Sequence, residues 1–364
     1  MSKHTLSRTK IVRPFAAAGR PTMDSLEARQ LMSVAPSALP HGTVNDSVYD
    51  AATKTLHVVY YDTADRSLKY QSFGDDGSSI ATQTVDSSGN VGAFLSMTED
   101  QDGVLHAAYY DANNGDLKYA RRDLSGAWST SVIDSKNTVG LYPSIAMDAN
   151  DQPVVTYYYK NSGDLRMASF NGSSWVLSTL ATTGDVGRYS SLKMNDMTNK
   201  FGVAYEDDTH TSFMFAEQSG TGWLTSTADV TKYGGGYISL EFNGGLPAIS
   251  YYDAFNSDLK FAERSSRNKW TVTTVAAKNS QGLYSDLAFT YNTNQPAIVY
   301  YNKTQDTVVL AYRNTDNTWS FETEVTGGGR EVQPADGPVN GNNAPSLYLV
   351  WYDSNSGGLK VDTI

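Results

Sequence analysis

Aromatic residues recur at fixed places along this chain, in loops whose composition suits the binding of sugars. Five loops read Gly-x-aromatic-x-Ser, with Asp replacing Ser in the last of them. Their aromatic residues are Phe94, Tyr142, Tyr189, Tyr237 and Tyr284. An aromatic side chain offers a flat apolar face for stacking and, in tyrosine, a hydroxyl for hydrogen bonding. Two interpretations stay open for these loops: packing over the neighbouring repeat, or a platform on which a ligand stacks.

Acidic residues recur beside these loops, directly after pairs of tyrosines. The four that we take as candidate ligand-binding residues are Asp62, Asp111, Asp253 and Asp353, and Asp207 and Asn302 hold the same place in two further copies. Short Asx side chains often bond to backbone N–H groups two or three residues ahead and so fix a turn. They can equally accept hydrogen bonds from the hydroxyls of a sugar. Both roles are compatible with the sequence.

One copy departs from the repeat and places three carboxylates together. Glu206, Asp207 and Asp208 are followed closely by His210 in the stretch YEDDTHTSF. Three oxygen ligands on one loop are a candidate Ca²⁺ site. The alternative is sequence drift on a solvated loop. We assign no catalytic residues and expect no cofactor, with Ca²⁺ as the open alternative.

These features belong to a unit written seven times. The equivalent positions after the tyrosine pair are 62, 111, 159, 207, 253, 302 and 353, spaced 46 to 51 residues apart. Each unit holds four short runs rich in Val, Ile, Tyr, Ser and Thr, separated by Gly/Asn/Asp turns. A Trp marks the start of the fourth run in five copies. This period and content predict an all-β, seven-bladed propeller with four-stranded blades.

The ring must close to hide its sheet edges, and the last copy ends one strand short, at Ile364. The segment Ser33–Asp50 aligns without gaps on Ser131–Asp148, which spans a fourth strand and the next first strand. We therefore predict that Gln30–Ser37 supplies the outer strand of the last blade. The predicted domains are a flexible basic leader over residues 1–28 and a propeller over residues 29–364.

Composition excludes several classes of function. The chain of 364 residues carries a formal net charge of -11, which disfavours a nucleic-acid partner. It contains no cysteine, so disulfides and thiolate metal sites are excluded. No apolar run approaches the roughly 20 residues needed to span a bilayer. The histidines stand in no metalloprotease motif, and the sequence holds no GxSxG or P-loop.

Two resemblances add expectations. The repeat YYD-x-x-x-GDLKYA resembles that of sialidase-related (BNR-like) or lectin-like bacterial propellers over about residues 30 to 364. The arginines are scattered and no Asp box occurs, so sialidase activity is not carried over. The stretch LEARQLMS (Leu26–Ser33) resembles the LEPR-XLL sorting motif, with Ala28 and Met32 departing from it. That motif implies export, and an ordinary polar lead-in is the alternative.

We therefore expect an extracellular or cell-surface binding module, monomeric and without a membrane span, that recognises a glycan on its Tyr- and Asp-rich loop face. One alternative is a glycoside hydrolase or polysaccharide lyase of sialidase-like propeller type. The other is a scaffold that binds a partner protein.

Overall fold

The computed structural model describes residues 39–40, 42–74, 76–277, 280–290, 294–327, 329–339, 345–353 and 358–363. All its regular elements are β-strands, grouped in four-stranded antiparallel sheets. The inner strands are buried on both faces. In Pro153–Tyr159 all seven residues are buried, as expected for a strand covered by a neighbouring sheet on either side. No helix that could cross a membrane is found in the described ranges.

Six sheets are each built from one continuous segment, and we call them blades 1 to 6. Strand β1 is Leu39–Pro40. Blade 1 comprises β2 (Gly42–Asp50), β3 (Thr55–Asp62), β4 (Ser67–Gly74) and β5 (Ser79–Asp86). Blade 2 comprises β6 (Val91–Glu99), β7 (Leu105–Asp111), β8 (Asp116–Arg122) and β9 (Trp128–Asp134). Blade 3 comprises β10 (Val139–Met147), β11 (Pro153–Tyr159), β12 (Asp164–Phe170) and β13 (Trp175–Ala181).

The second half of the chain repeats this plan. Blade 4 comprises β14 (Val186–Asn195), β15 (Lys200–Asp207), β16 (Ser212–Ser219) and β17 (Gly222–Val230). Blade 5 comprises β18 (Gly235–Asn243), β19 (Leu246–Asp253), β20 (Asp258–Ser266) and β21 (Lys269–Ala276). Blade 6 comprises β22 (Gln281–Phe289), β23 (Pro296–Asn302), β24 (Thr307–Arg313) and β25 (Trp319–Thr326). The last strands are β26 (Gly329–Val339), β27 (Pro345–Asp353) and β28 (Gly358–Thr363).

The first strand of each blade is innermost. Consecutive first strands contact one another around the axis, and β26 contacts both β22 and β2. Two kinds of loop therefore emerge on one face: those joining the second and third strands, and those leading from a fourth strand into the next first strand. We call this the loop face. The turns joining first and second strands lie on the opposite face.

The prediction of a seven-bladed propeller was wrong, because the described residues form six blades that are each one continuous four-stranded segment. The remaining sheet runs β1-β28-β27-β26. In the described residues its outer strand is Leu39–Pro40, with Leu39 opposite Leu359 and Pro40 opposite Gly358. Proline has no N–H to donate, and Pro36 and Pro40 both fall in this stretch, so a long edge ladder is disfavoured. The strand predicted at Gln30–Ser37 lies outside the described residues and stays a prediction.

The chain also divides into two units, 1–31 and 32–364. The first unit lies outside the described residues, and so does the predicted leader over residues 1–28. The boundary between leader and propeller stays a prediction.

The core lies between the blades, and the first tyrosine of each pair explains much of it. Tyr109 and Tyr157 are fully buried. Each donates its hydroxyl to an aspartate that ends the preceding blade, Tyr109 to Asp86 at 2.6 Å and Tyr157 to Asp134 at 2.8 Å. Burial raises the pKa of both hydroxyls, so they stay protonated donors. The first tyrosine of the pair therefore links its blade to the preceding one through a hydrogen bond.

Candidate functional site

Five aromatic side chains follow one another around the mouth of the central channel on the loop face. They are the five predicted from the Gly-x-aromatic loops: Phe94, Tyr142, Tyr189, Tyr237 and Tyr284. Successive ring centroids lie 4.6, 4.5, 5.3 and 4.6 Å apart. We call this group the aromatic arc. The structure therefore brings together side chains that are about 48 residues apart in sequence.

All five arc residues have left-handed backbone, with φ between 48° and 52°. Bulky side chains rarely adopt this conformation, which costs on the order of 1–3 kcal/mol unless the surroundings impose it. Here a bulge imposes it, since the pairing of β10 with β11 shifts register between Leu141 and Ser144. Gly140 precedes Tyr142 in that bulge, with φ of 87°. A Cβ on Gly140 would stand 2.7 Å from Leu117 Cα, so the close approach requires glycine.

A second layer of rings stands behind the arc and is interrupted once. The second tyrosine of the pair contacts the arc residue of its own blade with centroids 6.3 to 6.4 Å apart in four blades: Tyr110, Tyr158, Tyr252 and Tyr301. In blade 4 the equivalent residue is Glu206, which is only 4% exposed. Its Oε1 accepts a hydrogen bond from Gly235 N at 2.7 Å. Burial raises the pKa of Glu206, and a carboxyl thus replaces a ring beside Tyr189.

Charged groups concentrate at this interruption. Arg188 donates to Asp185 at 2.7 Å and lies 3.4 Å from Asp208. Tyr158 donates its hydroxyl to the same Asp185 at 2.6 Å. The Arg188 guanidinium also lies 5.5 Å from the centroid of the Tyr158 ring. We call Asp185, Arg188, Glu206 and Asp208 the blade-4 polar cluster; it gives the arc one chemically distinct side.

Next to this cluster two aromatic residues are exposed on the loop face. Tyr233 is 63% exposed and Phe255 is 44% exposed, with centroids 5.2 Å apart. Lys232 Nζ lies 4.3 Å from the centroid of Phe255. A glycine run joins this group to the arc, since a Cβ on Gly236 would stand 2.6 Å from the Tyr189 ring. We call Lys232, Tyr233 and Phe255 the exposed aromatic group.

Sequence reasoning missed the exposed aromatic group. Tyr233 and Phe255 lie on loops of different type, one leading into blade 5 and the other joining its second and third strands. Neither belongs to the repeat. The available signal was the departure itself, a large apolar side chain placed in a turn otherwise rich in Gly, Asn and Asp.

The acids that follow the tyrosine pairs of the repeat act as turn caps in the structure. Asp111 accepts hydrogen bonds from the N–H groups of Asn113 and Asn114, and Asp253 accepts them from Phe255 and Asn256. Asp62 likewise accepts one from Ala64 at 2.9 Å. All three aspartates are buried. The side chain of Asp353 lies outside the described residues. A ligand contact at these four positions stays a prediction.

The three blade-4 carboxylates proposed for Ca²⁺ have separate partners. Glu206 faces Gly235, as described above. Asp207 Oδ1 accepts from His210 N at 2.9 Å, and its Oδ2 lies 2.8 Å from His210 Nδ1. Asp208 pairs with Arg188. The Ca²⁺ hypothesis stays a prediction, and it would require these side chains to exchange their partners for the ion.

Below the arc the channel is polar, with a cavity of about 480 Å³. The Ser of each Gly-x-aromatic-x-Ser loop bridges to the next blade: Ser144 Oγ accepts from Leu192 N at 3.0 Å and Ser191 Oγ from Leu240 N at 3.1 Å. Asp46 holds this position in blade 1 and accepts from Met97 N at 2.7 Å. Asp286 holds it in blade 6. The loop that presents an aromatic residue therefore also links neighbouring blades.

Two acids in this channel have shifted pKa values. Burial, together with the nearby charges of Asp46 and Glu241, raises the pKa of Asp286 to about 7. Burial also raises the pKa of Asp46 to about 6. Lys193 pairs with Glu241 and opposes both shifts. These shifts mark a channel wall with more acid than base.

Comparison with known proteins supports the fold. An ulvan lyase of a polysaccharide lyase family matches with a TM-score of 0.59 at 14% identity, over 89% of this chain and 94% of that one. The Aleuria aurantia lectin, in complex with Fucα1-6GlcNAc, matches with a TM-score of 0.52 at 16% identity, over 73% of this chain and 93% of that one. A structure of the lectin SapL1 with α-methyl fucoside gives 0.51 at 16%, over 74% and 95%.

No family model matches the chain, and no curated protein sequence matches it. At these identities the structural matches show that the chain is an all-β propeller with four-stranded blades, and they show nothing finer. The sialidase-like and sorting-motif resemblances stay predictions.

Proposed function

We propose that this protein is a carbohydrate-binding propeller that holds a glycan on the loop face, across the aromatic arc and the exposed aromatic group. The observation that carries the proposal is the arc itself, five contiguous rings at a channel mouth. Ligand sites combine aromatic walls with a few placed polar groups, and here the blade-4 polar cluster supplies them. Solved propellers of similar fold were crystallised with fucosides, which supports a sugar as the ligand class.

Binding should be tested by glycan-array screening followed by calorimetry on purified protein. We expect Tyr142→Ala and Tyr189→Ala to weaken binding of the best glycan at least tenfold. Phe321→Ala is the matched control, because Phe321 is an exposed ring (48%) on the outer strand β25, away from the loop face. Circular dichroism should show that all three variants fold. Binding that survives both tyrosine substitutions would contradict the proposal, and so would a complete absence of glycan binding.

A polysaccharide lyase is the second candidate, favoured by the blade-4 polar cluster. β-Elimination at a uronic acid needs a cation beside the substrate carboxylate and a base for the proton next to it. Arg188 and Glu206 stand together there, and the raised pKa of Glu206 suits a base. In the free protein Arg188 is paired with two aspartates, so substrate would have to displace one of them.

The two candidates can be separated by one assay. A lyase releases unsaturated sugars that absorb in the ultraviolet, and Arg188→Ala would abolish that signal. A lectin binds without any such product. Binding of a protein partner without any glycan would favour the scaffold alternative instead.

We also propose, from the sequence motif and the glycan-binding assignment, that the protein acts outside the cell as a monomer. Fractionation of the native source would test the location, and light scattering would test the oligomeric state.

A further inference from the structure

Three metal-ligating side chains meet on the face opposite the aromatic arc, between blades 1 and 2. Asp50 ends β2, His57 lies in β3, and Glu99 ends β6. One ligand atom from each lies within 4.8 Å of the other two. Within the described ranges, this is the only group of at least three His, Cys, Asp or Glu residues whose ligand atoms converge in this way. Two carboxylates and an imidazole form a donor set that zinc accepts in proteins.

Glu99 departs from most of the repeat. Blades 1 and 3 to 6 carry an apolar or aromatic residue at its position, and the last sheet carries an acid there, Asp336; the five others are Tyr49, Met147, Met194, Phe242 and Phe289. In blade 2 a carboxylate stands there instead, half-buried. Its Oε1 is shielded from solvent and has no hydrogen-bond partner among the residues that the structure describes. A buried polar atom without a partner costs roughly 1–3 kcal/mol, so a missing partner is indicated.

The other two side chains are already fixed in place. Asp50 Oδ1 accepts from the N–H groups of Ala52 and Thr53, and Oδ2 accepts from the Thr53 hydroxyl at 2.5 Å, which leaves lone pairs on the carboxylate. His57 Nδ1 lies 2.6 Å from the hydroxyl of the buried Tyr70. When Nδ1 donates its proton to that hydroxyl, Nε2 is left with a lone pair for a metal. An outer partner of this kind is the usual support for a metal-binding histidine.

Blade 2 provides an internal comparison for this arrangement. His106 holds the position of His57, and its Nδ1 lies 2.5 Å from the Tyr119 hydroxyl. Its Nε2 is occupied, however, at 3.0 Å from Asp100 Oδ2. The residue at the position of Glu99 in the following blade is Met147, which offers no carboxylate. The repeat thus forms a closed His–Asp pair in blade 2 and an open trio in blade 1.

From this geometry we infer that Asp50, His57 and Glu99 bind a divalent transition-metal ion of the zinc class. The ion would take one oxygen from each carboxylate and Nε2 of His57, and water would complete the tetrahedron. Ligand atoms about 2 Å from one zinc ion stand roughly 3.3 Å apart, so the three side chains would have to close in from their separation of up to 4.8 Å. The ion would supply Oε1 with its missing partner and balance two neighbouring carboxylates, so it would join blades 1 and 2.

The test uses the full chain without an affinity tag, stripped of metal and titrated with Zn²⁺, Co²⁺, Ca²⁺ and Mg²⁺ by calorimetry. Elemental analysis gives the stoichiometry, and the visible spectrum of the Co²⁺ form reports the coordination. Glu99→Met places in blade 2 the residue that blade 3 carries, so the fold should tolerate it. His106→Gln is the matched control, since it removes a histidine at the equivalent position of the next blade.

We expect one Zn²⁺ per chain, a tetrahedral Co²⁺ spectrum, and at least about a tenfold loss of affinity in Glu99→Met. His106→Gln should bind as the native protein does. Zn²⁺ should raise the melting temperature of the native protein but not that of Glu99→Met. The proposal fails if Zn²⁺ and Co²⁺ do not bind, if Glu99→Met binds them as well as the native chain, if His106→Gln loses them equally, or if Ca²⁺ or Mg²⁺ binds as tightly.

Discussion

Replacing Asp286 by serine should change how stability depends on pH. Asp286 stands at the blade-bridging position that serine occupies in four other blades, and it accepts a hydrogen bond from Ser239 Oγ at 2.5 Å. It faces the charges of Lys193, Asp46 and Glu241 across the channel. The substitution therefore keeps a small hydroxyl side chain at this site and removes one ionisable group.

The size of the effect follows from the shifted pKa. Burial raises the pKa of Asp286 from 3.8 to about 7, so the folded chain holds a proton that the unfolded chain releases. The resulting stabilisation is fully present below about pH 4 and is lost as pH rises through about pH 7. One pKa unit corresponds to about 1.36 kcal/mol, and solvent in the cavity that Asp286 lines screens its charge, so we expect a loss on the order of 2–3 kcal/mol. Asp46 adds a smaller loss of the same sign, because its pKa is raised to about 6.

Urea unfolding at about pH 4, 6 and 8 measures this directly. We expect the free energy of unfolding of the native chain to fall across this range, and that of Asp286→Ser to fall by about 2–3 kcal/mol less. Asp102→Ser, in the exposed turn between β6 and β7, is the control and should parallel the native chain. If Asp286→Ser keeps the full pH dependence, the assignment of Asp286 as a protonated channel acid is wrong.

Three further substitutions probe the packing between blades. Tyr109→Phe removes a hydrogen bond to the buried carboxylate of Asp86 and should lower the free energy of unfolding by about 1.5–3 kcal/mol. Tyr205→Phe is the control and should lower it much less, because Ala181 stands at the position that Asp86 holds in its own blade. Equal losses of stability in urea unfolding would show that the hydrogen bond from Tyr109 to Asp86 does not stabilise the contact between blades. Gly140→Ala should lower the melting temperature by several degrees in calorimetry, because its Cβ would stand 2.7 Å from Leu117 Cα at a φ of 87°. An unchanged transition would show that the bulge can relax.

The sequence predicted the blades well because the repeat carries its own alignment. A Trp at the start of the fourth run predicted the position of strands such as Trp128–Asp134 and Trp175–Ala181, and both begin there. The closing strand has no repeat to define its register, and the predicted segment Gln30–Ser37 lies outside the described residues. The alignment of Ser33–Asp50 transferred a full fourth strand onto a stretch that contains two prolines, and the described part of that stretch pairs with β28 at Leu39 and Pro40.

The candidate site could be predicted where its residues follow the repeat, and not where they depart from it. The arc came from a repeated pattern and was recovered as a contiguous set, although no pattern reveals that its residues have left-handed backbone. The exposed aromatic group and the Asp50, His57 and Glu99 trio were missed for a shared reason. Each combines residues from different loops or neighbouring blades, and each is a departure from the repeat. Only the packing of one blade on the next brings such departures together.

The arc shows how fold and function can be separated within one loop. The bulge places a serine where it accepts an N–H from the next blade, as Ser144 does from Leu192. Blade 1 keeps this bond through Asp46 and Met97, although Val44 stands where the other loops carry a ring. The bridge between blades therefore does not require an aromatic residue two positions earlier. Five rings at that position must be selected by their contacts with one another or by a ligand at the channel mouth. The substitutions Tyr142→Ala and Tyr189→Ala distinguish these two causes. If the rings are selected by their mutual contacts, both variants should lose stability, and if they are selected by a ligand, both should lose binding.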